Sequence, residues 1–425
     1  MSEWREIALG EVLDITHGYP FKGEFFSDAG DHVLLTPRNF RAQGGLDVSP
    51  ARCKYYTGPI DQKYVLAPGD VVVAMTDLKN DAPILGSAGV IPSAGHYLHN
   101  QRIGKVNVDR PDQLSDAFVP WLLNSPGVRS QVKSSATGAT VRHSAPERFG
   151  KIVVRIPAPE CQRRIAAVLS AFDELIEINE RRIEVLEDLA RSLYREWFVR
   201  FRFPGHRRAD FAESDLGPIP DDWEVCSLGD IAEVQRRTVT PVREDGIEFE
   251  HFSIPAFDSS GLPRFEVGAA IKSHKQVVDR ECVLLSKINP RIERVWFAEP
   301  STNRAVASTE FLAFTGSHVS NAWLWATFTS EAFQGWLRGV AGGTSTSHQR
   351  VKPGDVTAHV VPLANRELVD LFDGLVAPAL RGATALRQSS RALAATRDLL
   401  LPRLVTGRVD ISDVDLGELL PPEPA

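Results

Sequence analysis

The longest regular pattern of apolar positions lies in mid-chain, between Glu160 and Phe198. Apolar residues recur there at alternating steps of four and three, with one polar position, Asn179, and no Gly or Pro. This heptad seam predicts a long coiled-coil helix, about 55 Å at 1.5 Å per residue. Asn179 either fixes the register of the pairing or is a tolerated surface residue. The seam consists of Ile165, Leu169, Phe172, Ile176, Asn179, Ile183, Leu186, Ala190, Leu193 and Trp197.

A second and weaker seam of the same spacing runs from Arg366 to Leu404. Small or polar residues occupy several of its positions, and Pro378 should remove one backbone hydrogen bond and kink the helix. The pattern predicts a second rod that packs closely against the first; the alternative is two unrelated core helices in separate domains. Its apolar pairing positions are Leu368, Phe372, Leu375, Ala379, Leu386, Leu393 and Leu400.

Two anchors indicate that the chain repeats itself. "WREIALGEV" begins at Trp4 and "WEVCSLGDI" begins at Trp223, sharing Trp-x-x-x-x-Leu-Gly-acid-aliphatic. Later, "TGATVRHSAPERFGKIVVRIPAP" and "GGTSTSHQRVKPGDVTAHVVPLA" each read as a polar loop, a strand and the start of a long helix. We interpret this as a duplication, with chance similarity as the alternative. The pairs aligned at the second anchor are Gly138 with Gly343, Thr140 with Ser345, His143 with His348, and Pro157 with Pro362.

Short apolar runs bounded by turn residues fill each half between the anchors, for example "LAPGDVVVAMT" and "ECVLLSKINPR". They predict strand-rich α/β (α+β) domains in two copies, joined by the two long helices. The expected organisation is a first domain at 1–157, a helix at 158–203, a linker at 204–222, a second domain at 223–362, a helix at 363–408 and a tail at 409–425.

Composition and charge narrow the class of protein. The chain is 43% apolar and 24% charged, which excludes collagen-like and disordered classes, and no apolar run is long enough to cross a membrane. Four dispersed cysteines and the absence of an N-terminal apolar segment favour a cytoplasmic protein. The net charge is −7, so binding to nucleic acid would depend on local patches or on a more basic partner.

Sequence motifs of catalysis are missing. The chain has no G-x-x-x-x-G-K-[ST] loop, no G-x-G-x-x-G after a strand and no H-E-x-x-H, and its histidines do not cluster. "NPR" at 289–291 only faintly resembles the Asn-Pro-Pro-aromatic motif of amino-methyltransferases. We therefore predict no catalytic residue, no metal site and no cofactor bound by this chain.

Polar loops at matching places in the two halves suit double-stranded DNA, because Arg and Lys contact phosphates and guanine, Asn contacts adenine, and hydroxyls contact phosphates. For any single residue, a solvated surface role is the alternative. The candidate DNA-binding residues are Arg38, Asn39, Arg41, Thr76, Lys79, Thr140, Arg142, His143, Arg236, Arg237, Lys287, Asn289, Arg291, Ser345, Ser347, His348 and Arg350.

At this point the chain resembles the specificity subunits of type I restriction–modification enzymes over nearly its whole length. The resemblance lies in "GPIPDDWEVCSLGDI", in "IPAPECQRRIAAVLSAFDELIEINERRIEVLEDLARSLYREWFVRF" and in "RDLLLPRLVTGRVDIS". One departure is "VPLANRELVD", where the first copy has "IPAPECQRRI".

The resemblance implies a non-catalytic subunit. Each of two target-recognition domains would read half of a split DNA site, and two antiparallel helices would set the spacer and dock two adenine-N6 methyltransferase subunits. S-adenosylmethionine, ATP and Mg would be held by these partners and by restriction subunits. The alternatives are a self-contained DNA methyltransferase or nuclease, and a coiled-coil adaptor that does not bind DNA.

Overall fold

The structure is a computed structural model that describes residues 4–138, 141–342, 349–412 and 414–417. It divides into two compact units. Unit 1 comprises Met1–Leu175 together with Leu393–Ala425, and unit 2 comprises Ile176–Ala392. Each unit contains one strand-rich domain and parts of two long helices, which confirms the predicted α+β fold class.

The first domain (residues 5–156) contains two main sheets. The strands of this domain are β1 (Arg5–Ala8), β2 (Leu13–His17), β3 (Phe26–Ser27), β4 (His32–Leu35), β5 (Tyr55–Tyr56), β6 (Val65–Leu66), β7 (Val71–Ala74), β8 (Thr76–Asp77), β9 (Ala88–Val90), β10 (His96–His99), β11 (Ile103–Val108), β12 (Arg142–His143) and β13 (Val153–Ile156). One sheet has the antiparallel order β2–β11–β7–β9, and the other has the order β3–β5–β4–β10–β6, in which β4 and β10 are parallel. Its α-helices are α1 (Val119–Asn124), α2 (Pro126–Ser135) and α3 (Pro146–Gly150).

The first long helix, α4 (Pro159–Tyr194), ends in a wider π-helical turn at Arg195–Val199. A short linker hairpin of β14 (Phe211–Ala212) and β15 (Ile219–Pro220) follows it. The second long helix, α10, is Arg366–Leu404.

The second domain (residues 224–363) lies between these helices in the chain. Its strands are β16 (Glu224–Ser227), β17 (Ala232–Val234), β18 (Thr238–Val239), β19 (Glu248–Phe252), β20 (Arg264–Val267), β21 (Lys275–Val277), β22 (Cys282–Ser286), β23 (Val295–Ala298), β24 (Ala305–Ser308), β25 (Phe311–Gly316) and β26 (Val360–Leu363). Its α-helices are α5 (Leu228–Ile231), α6 (Ile254–Ser260), α7 (Asn321–Phe328), α8 (Glu331–Val340) and α9 (Pro353–Thr357).

The sheet order of the second domain repeats that of the first. The antiparallel sheet is β17–β25–β22–β23, and the other sheet is β20–β19–β24–β21–β18, again with one parallel pair, β19 and β24. The repeat is therefore confirmed at the level of topology. One strand differs: β3 extends its sheet beyond β5, whereas β18 extends the matching sheet at the opposite edge, beyond β21.

The central strand is buried on both faces in each domain, as its uninterrupted apolar run requires. In β7, Val71 and Val73 pack in the core that contains the helices, whereas Val72 and Ala74 pack against the other sheet. In β22, Val283 and Leu285 pack in the core that contains the helices, whereas Leu284 packs against the other sheet. Successive side chains of a strand point to opposite faces, so one strand joins two cores.

The sequence anchors close each domain. In the first domain β1 pairs with β13, and in the second β16 pairs with β26, so the strand after each anchor Trp meets the strand before each long helix. The Leu of each Leu-Gly-acid triplet, Leu9 and Leu228, is fully buried. A Cβ on Gly10 would lie 3.0 Å from the Cα of Gly150 in α3, so the close approach of the two backbones favours glycine here.

The acid of each triplet accepts a hydrogen bond from the backbone. Glu11 accepts one from the N–H of Ala8 at 3.0 Å, and Asp230 accepts one from the N–H of Ser227 at 3.1 Å. Both acids therefore cap the short helical turn that contains them. Trp223 is buried against Phe198, Phe201 and Phe203 and serves packing.

The long helices are antiparallel where unit 2 contains both of them. Asn179 Nδ2 donates to Ser390 Oγ at 3.3 Å, Glu187 forms an ion pair with Arg387 at 2.5 Å, and Phe198 packs on Phe372. Residue numbers thus rise along α4 as they fall along α10. Asn179 is only 8% exposed, so it is a buried polar position of the seam and not a surface residue.

Within unit 1 the ends of the same helices also meet. Ile165 and Leu169 of α4 pack in one core with Leu401 and Leu404 of α10, and Asp173 forms an ion pair with Arg397. Along α4 the predicted seam is buried or half-buried at every position, including Phe172, Ile176, Ile183, Leu186 and Leu193.

The seam predicted for α10 needs one correction. Leu375 is 49% exposed, whereas Val376 and Leu380 are buried in the core of the second domain. This part of α10 packs on its own domain, so its buried face is not the heptad face. Leu386, Leu393 and Leu400 are half-buried, and the helix continues through Pro378, which is exposed.

In the described part of the chain, no helix combines the length and the apolar character needed to cross a bilayer.

Candidate nucleic-acid interface

In each domain, the loop that follows the central strand (β7 or β22) contacts the loop that precedes the last short helix (α3 or α9). In the first domain these are loop A (residues 75–86) and loop B (residues 137–143). Thr76 and Asp77 pair with His143 and Arg142 as β8 and β12, and Thr76 Oγ1 lies 2.9 Å from His143 Nδ1. The structure therefore brings together Thr76, Arg142 and His143, which lie far apart in the sequence.

The second domain builds the same meeting point from loop A′ (residues 287–293) and loop B′ (residues 342–350). Ile288 forms a β-bridge with Arg350, and the N–H of Asn289 donates to Gln349 O at 3.0 Å. The N–H of Val351 donates to Lys287 O just as that of Ser144 donates to Met75 O in the first domain. Lys287, Asn289 and Arg350 therefore belong to one site.

These pairings correct the alignment of the second anchor. Thr137 bridges His143, and Gly342 bridges Arg350, so loop B′ is two residues longer than loop B. The structural counterpart of His143 is Arg350, and that of Ile156 is Leu363, so the predicted pairs of His143 with His348 and Pro157 with Pro362 are wrong. An alignment of the two copies at a constant offset does not account for this insertion of two residues.

Buried charges organise loop A from below. Asp77 is 2% exposed and accepts hydrogen bonds from the N–H of Lys79 at 2.9 Å and of Ile84 at 2.7 Å. Arg129 of α2 is 8% exposed and donates to Leu85 O at 3.0 Å and Pro83 O at 2.6 Å. Burial lowers the pKa of Arg129 to about 10, and the negative charge of Asp77 acts in the opposite direction, so Arg129 is charged at neutral pH.

Arg129 also reaches the loop that contains two further candidates. Its Nη1 donates to Ala42 O at 3.2 Å, and Ser87 Oγ donates to Arg41 O at 2.7 Å. The side chains of Arg38 and Arg41 remain exposed. The loop with Arg38 and Arg41 and loop A are thus fixed to one buried guanidinium.

The second domain holds its loops differently. Arg350 forms an ion pair with Glu310 at 2.9 Å, and the N–H of Lys287 donates to Glu310 O at 2.8 Å. The residue that matches Arg129 by its place four after the helix N-cap serine is Gln334, which donates to Phe328 O at 2.6 Å. Asn289, with a left-handed φ of 49°, takes the place of Asp77.

Several candidates have structural roles in this arrangement. Asn39 is fully buried, and its amide bonds Thr36, Asp47 and Arg52 backbone groups, so it shapes its own loop. Thr76 is 3% exposed. Arg142 Nη2 donates to Lys133 O at 2.9 Å and caps the last turn of α2.

The remaining candidates fall into three groups. Lys79 and Arg291 are exposed on loops A and A′. Arg236 and Arg237 lie after β17, where Arg237 forms an ion pair with Asp279 at 2.9 Å, and no contact described here joins them to loop A′. Thr140, Ser345, Ser347 and His348 lie outside the described residues.

Sequence reasoning missed Asp77, Arg129 and Glu310, which hold the loops without being exposed on them. An Arg inside an amphipathic helix gives no sign of burial, since it usually lies on the solvated face. Across the described ranges, no group of three or more His, Cys, Asp and Glu side chains has an arrangement that would hold a metal ion.

Comparison with known proteins finds similarity to one family of proteins. Residues 1–188 match the family model described as "Type I restriction modification DNA specificity domain". The chain is 25% identical over 325 residues to the type I restriction enzyme MjaIX specificity subunit of Methanocaldococcus jannaschii, covering 72% of each chain. It is also 25% identical to the EcoBI specificity subunit of Escherichia coli, covering 55% of this chain and 47% of that one.

A solved structure shares the fold. The crystal structure of the type I restriction–modification S subunit from M. genitalium covers 95% of this chain and 96% of its own, with a TM-score of 0.59 and 13% sequence identity. The resemblance seen in the sequence is therefore confirmed: the chain is similar to the type I restriction enzyme specificity subunits, and its residues 1–188 match the model of the type I restriction–modification DNA specificity domain.

Proposed function

We propose that this chain recognises a split DNA site for a cytoplasmic type I restriction–modification complex. Loops A and B of the first domain would read one half of the site, and loops A′ and B′ of the second domain would read the other. The observation that supports this most directly is the duplicated meeting of a loop after the central strand with a loop before the long helix.

The exposed charges on these loops suit the two parts of a DNA contact. Lys79, Arg41 and Arg350 can contact phosphates, which position a protein on the duplex, and Asn80 on loop A can contact an adenine edge. Because the whole chain has a net charge of −7, we infer that partner subunits supply part of the phosphate neutralisation.

The long helices would set the unread spacer between the half-sites. At 1.5 Å per residue, the 36 residues of α4 span about 54 Å, the length of about 16 base pairs. The buried polar pair of Asn179 and Ser390 supports a fixed register, since a lone buried Asn on a coiled-coil seam disfavours slipped pairings.

The same helices would dock two methyltransferase subunits. Ile178, Val185 and Leu189 of α4 are 42%, 67% and 48% exposed and follow one another at steps of seven and four, off the seam. Such an apolar row on a helix is typical of a surface that a partner covers. Methylation with S-adenosylmethionine, and ATP- and Mg-dependent cleavage by restriction subunits, would belong to partners, and this chain would be non-catalytic.

A selection experiment tests the recognition proposal. The chain is co-purified with its methyltransferase subunits and used to select from duplexes of random sequence. We expect two short conserved blocks separated by a spacer of constant length and no conserved sequence. One contiguous block would contradict the split-site proposal, and tight S-adenosylmethionine binding by the isolated chain would favour an enzyme.

A substitution on α4 tests the docking proposal. Val185→Glu should weaken co-purification of the methyltransferase subunit without lowering the stability of the chain, because the side chain is already exposed. Glu184→Gln, one residue away and also exposed, is the matched control. Unchanged co-purification of Val185→Glu would remove this face from the docking surface.

A further inference from the structure

Loop A has a backbone conformation that its own sequence does not favour. Ala82 adopts a φ of 46°, in the left-handed region that an alanine rarely occupies, while Leu78, Lys79, Asn80 and Asp81 are exposed. A backbone of this kind persists only where the surroundings determine it. The surroundings here are Asp77, which accepts N–H groups from both sides of the exposed tip, and Arg129.

Arg129 is suited to this role by its chemistry. Its planar guanidinium donates in three directions to the carbonyls of Ala42, Pro83 and Leu85. A lysine has a compact ammonium without that fork, and a glutamine has one amide, so neither reproduces the three bonds.

We propose that Arg129 is a positioning residue for DNA readout by the first domain. It fixes loop A and the neighbouring Arg41–Ala42 backbone in one conformation, so the contacts of Lys79, Asn80 and Arg41 form without the entropic cost of ordering the loops. The inference rests on the proposed function, and it predicts an effect on one half-site only, since the three carbonyls that Arg129 bonds all lie in the first domain.

The test uses the complex with its methyltransferase subunits and four duplexes: both half-sites matched, either one mismatched, and both mismatched. The double variant Lys79→Ala with Asn80→Ala first identifies the half-site that the first domain reads. Arg129→Gln should then reduce discrimination at that half-site about tenfold, with discrimination at the other half unchanged. Amide hydrogen exchange should rise in residues 78–85.

Gln334→Met is the matched control in the second domain and should leave discrimination at both half-sites unchanged. If Arg129 had a purely structural role, Arg129→Gln would lower the fraction of active complex and would change discrimination at both half-sites equally or at neither. Either result overturns the proposal. If Arg129→Gln fails to assemble, Arg129→Lys, which keeps the charge, should show a smaller loss at the same half-site, and wild-type discrimination in that variant overturns the proposal. A wild-type complex that discriminates neither half-site would instead contradict the proposed function.

Discussion

The two domains share their topology and differ beneath their polar loops. In the first domain, loop A spans residues 75–86 and rests on two buried charges, Asp77 and Arg129. In the second, loop A′ spans only residues 287–293, and Asn289 and Gln334 take the equivalent places. Within the described residues, Asn289 Oδ1 and Gln334 Oε1 are buried without a hydrogen-bond partner. The strand pairs that close each domain are thus the same in both copies, whereas the residues that support the polar loops differ.

The largest expected difference between the domains is in the cost of removing the loop support. Asp77→Ala leaves two N–H groups without acceptors and removes the negative charge nearest Arg129, so it should destabilise the protein by about 3–5 kcal/mol. Asn289→Ala, which changes only a left-handed position, should cost about 1–2 kcal/mol. Urea unfolding of both variants measures the difference, and equal losses would show that the two loops are supported alike.

The glycines of the anchors test what the domains have in common. A Cβ at Gly10 would lie 3.0 Å from Gly150 Cα, and a Cβ at Gly229 would lie 3.2 Å from Thr357 O. Gly10→Ala and Gly229→Ala should each destabilise by about 1–3 kcal/mol, because neither contact can be relieved by a side-chain movement alone. Thermal unfolding checks this. Gly127→Ala in α2, where a Cβ would meet nothing within 4 Å, is the control and should be neutral or stabilising.

As the pH falls below 6.5, protonation of buried histidines should weaken the second domain more than the first. Burial lowers the pKa of His99 in the first domain and of His251 and His359 in the second, from an ordinary value of 6.5. At these histidines the unfolded chain therefore binds more protons than the folded one, so the stability that they contribute is complete above pH 6.5 and is lost as the pH falls below it. Unfolding at several pH values should show that His359→Gln loses less stability than the wild type as the pH falls. An identical profile of stability against pH would contradict this role of His359.

The smallest expected effect distinguishes the counterparts Arg350 and His143. Arg350→Ala should cost less than about 1 kcal/mol of stability, because its ion pair is exposed. It should lower the slope of log affinity for DNA against log salt by about one, as for loss of a phosphate contact. His143→Ala should leave that slope unchanged, and a reduced slope in both variants would mean that the two loops contact DNA in the same way.

The parts that the sequence predicts well depend on local patterns. The heptad spacing predicts α4 and its buried face, and the Leu-Gly-acid anchors predict the repeat, because each reflects contacts that recur along the chain. The prediction that Leu375 lies on the pairing face is wrong because α10 leaves the heptad pattern where it packs on a domain. Asp77 and Arg129 support the same loop although they lie 52 positions apart in the chain. The periodicity of apolar residues along the sequence gives no information about such a long-range arrangement.

The division of the chain has a consequence for its synthesis on the ribosome. Unit 2 is continuous in sequence, whereas unit 1 is completed by residues from Leu393 onward, including Leu401 and Leu404, which cover Ile165 and Leu169. A growing chain can therefore finish unit 2 while the first unit still exposes an apolar strip on its helix. Residues after Leu393 cover that strip, so a product terminated before them would carry an exposed apolar surface that chaperones and proteases recognise.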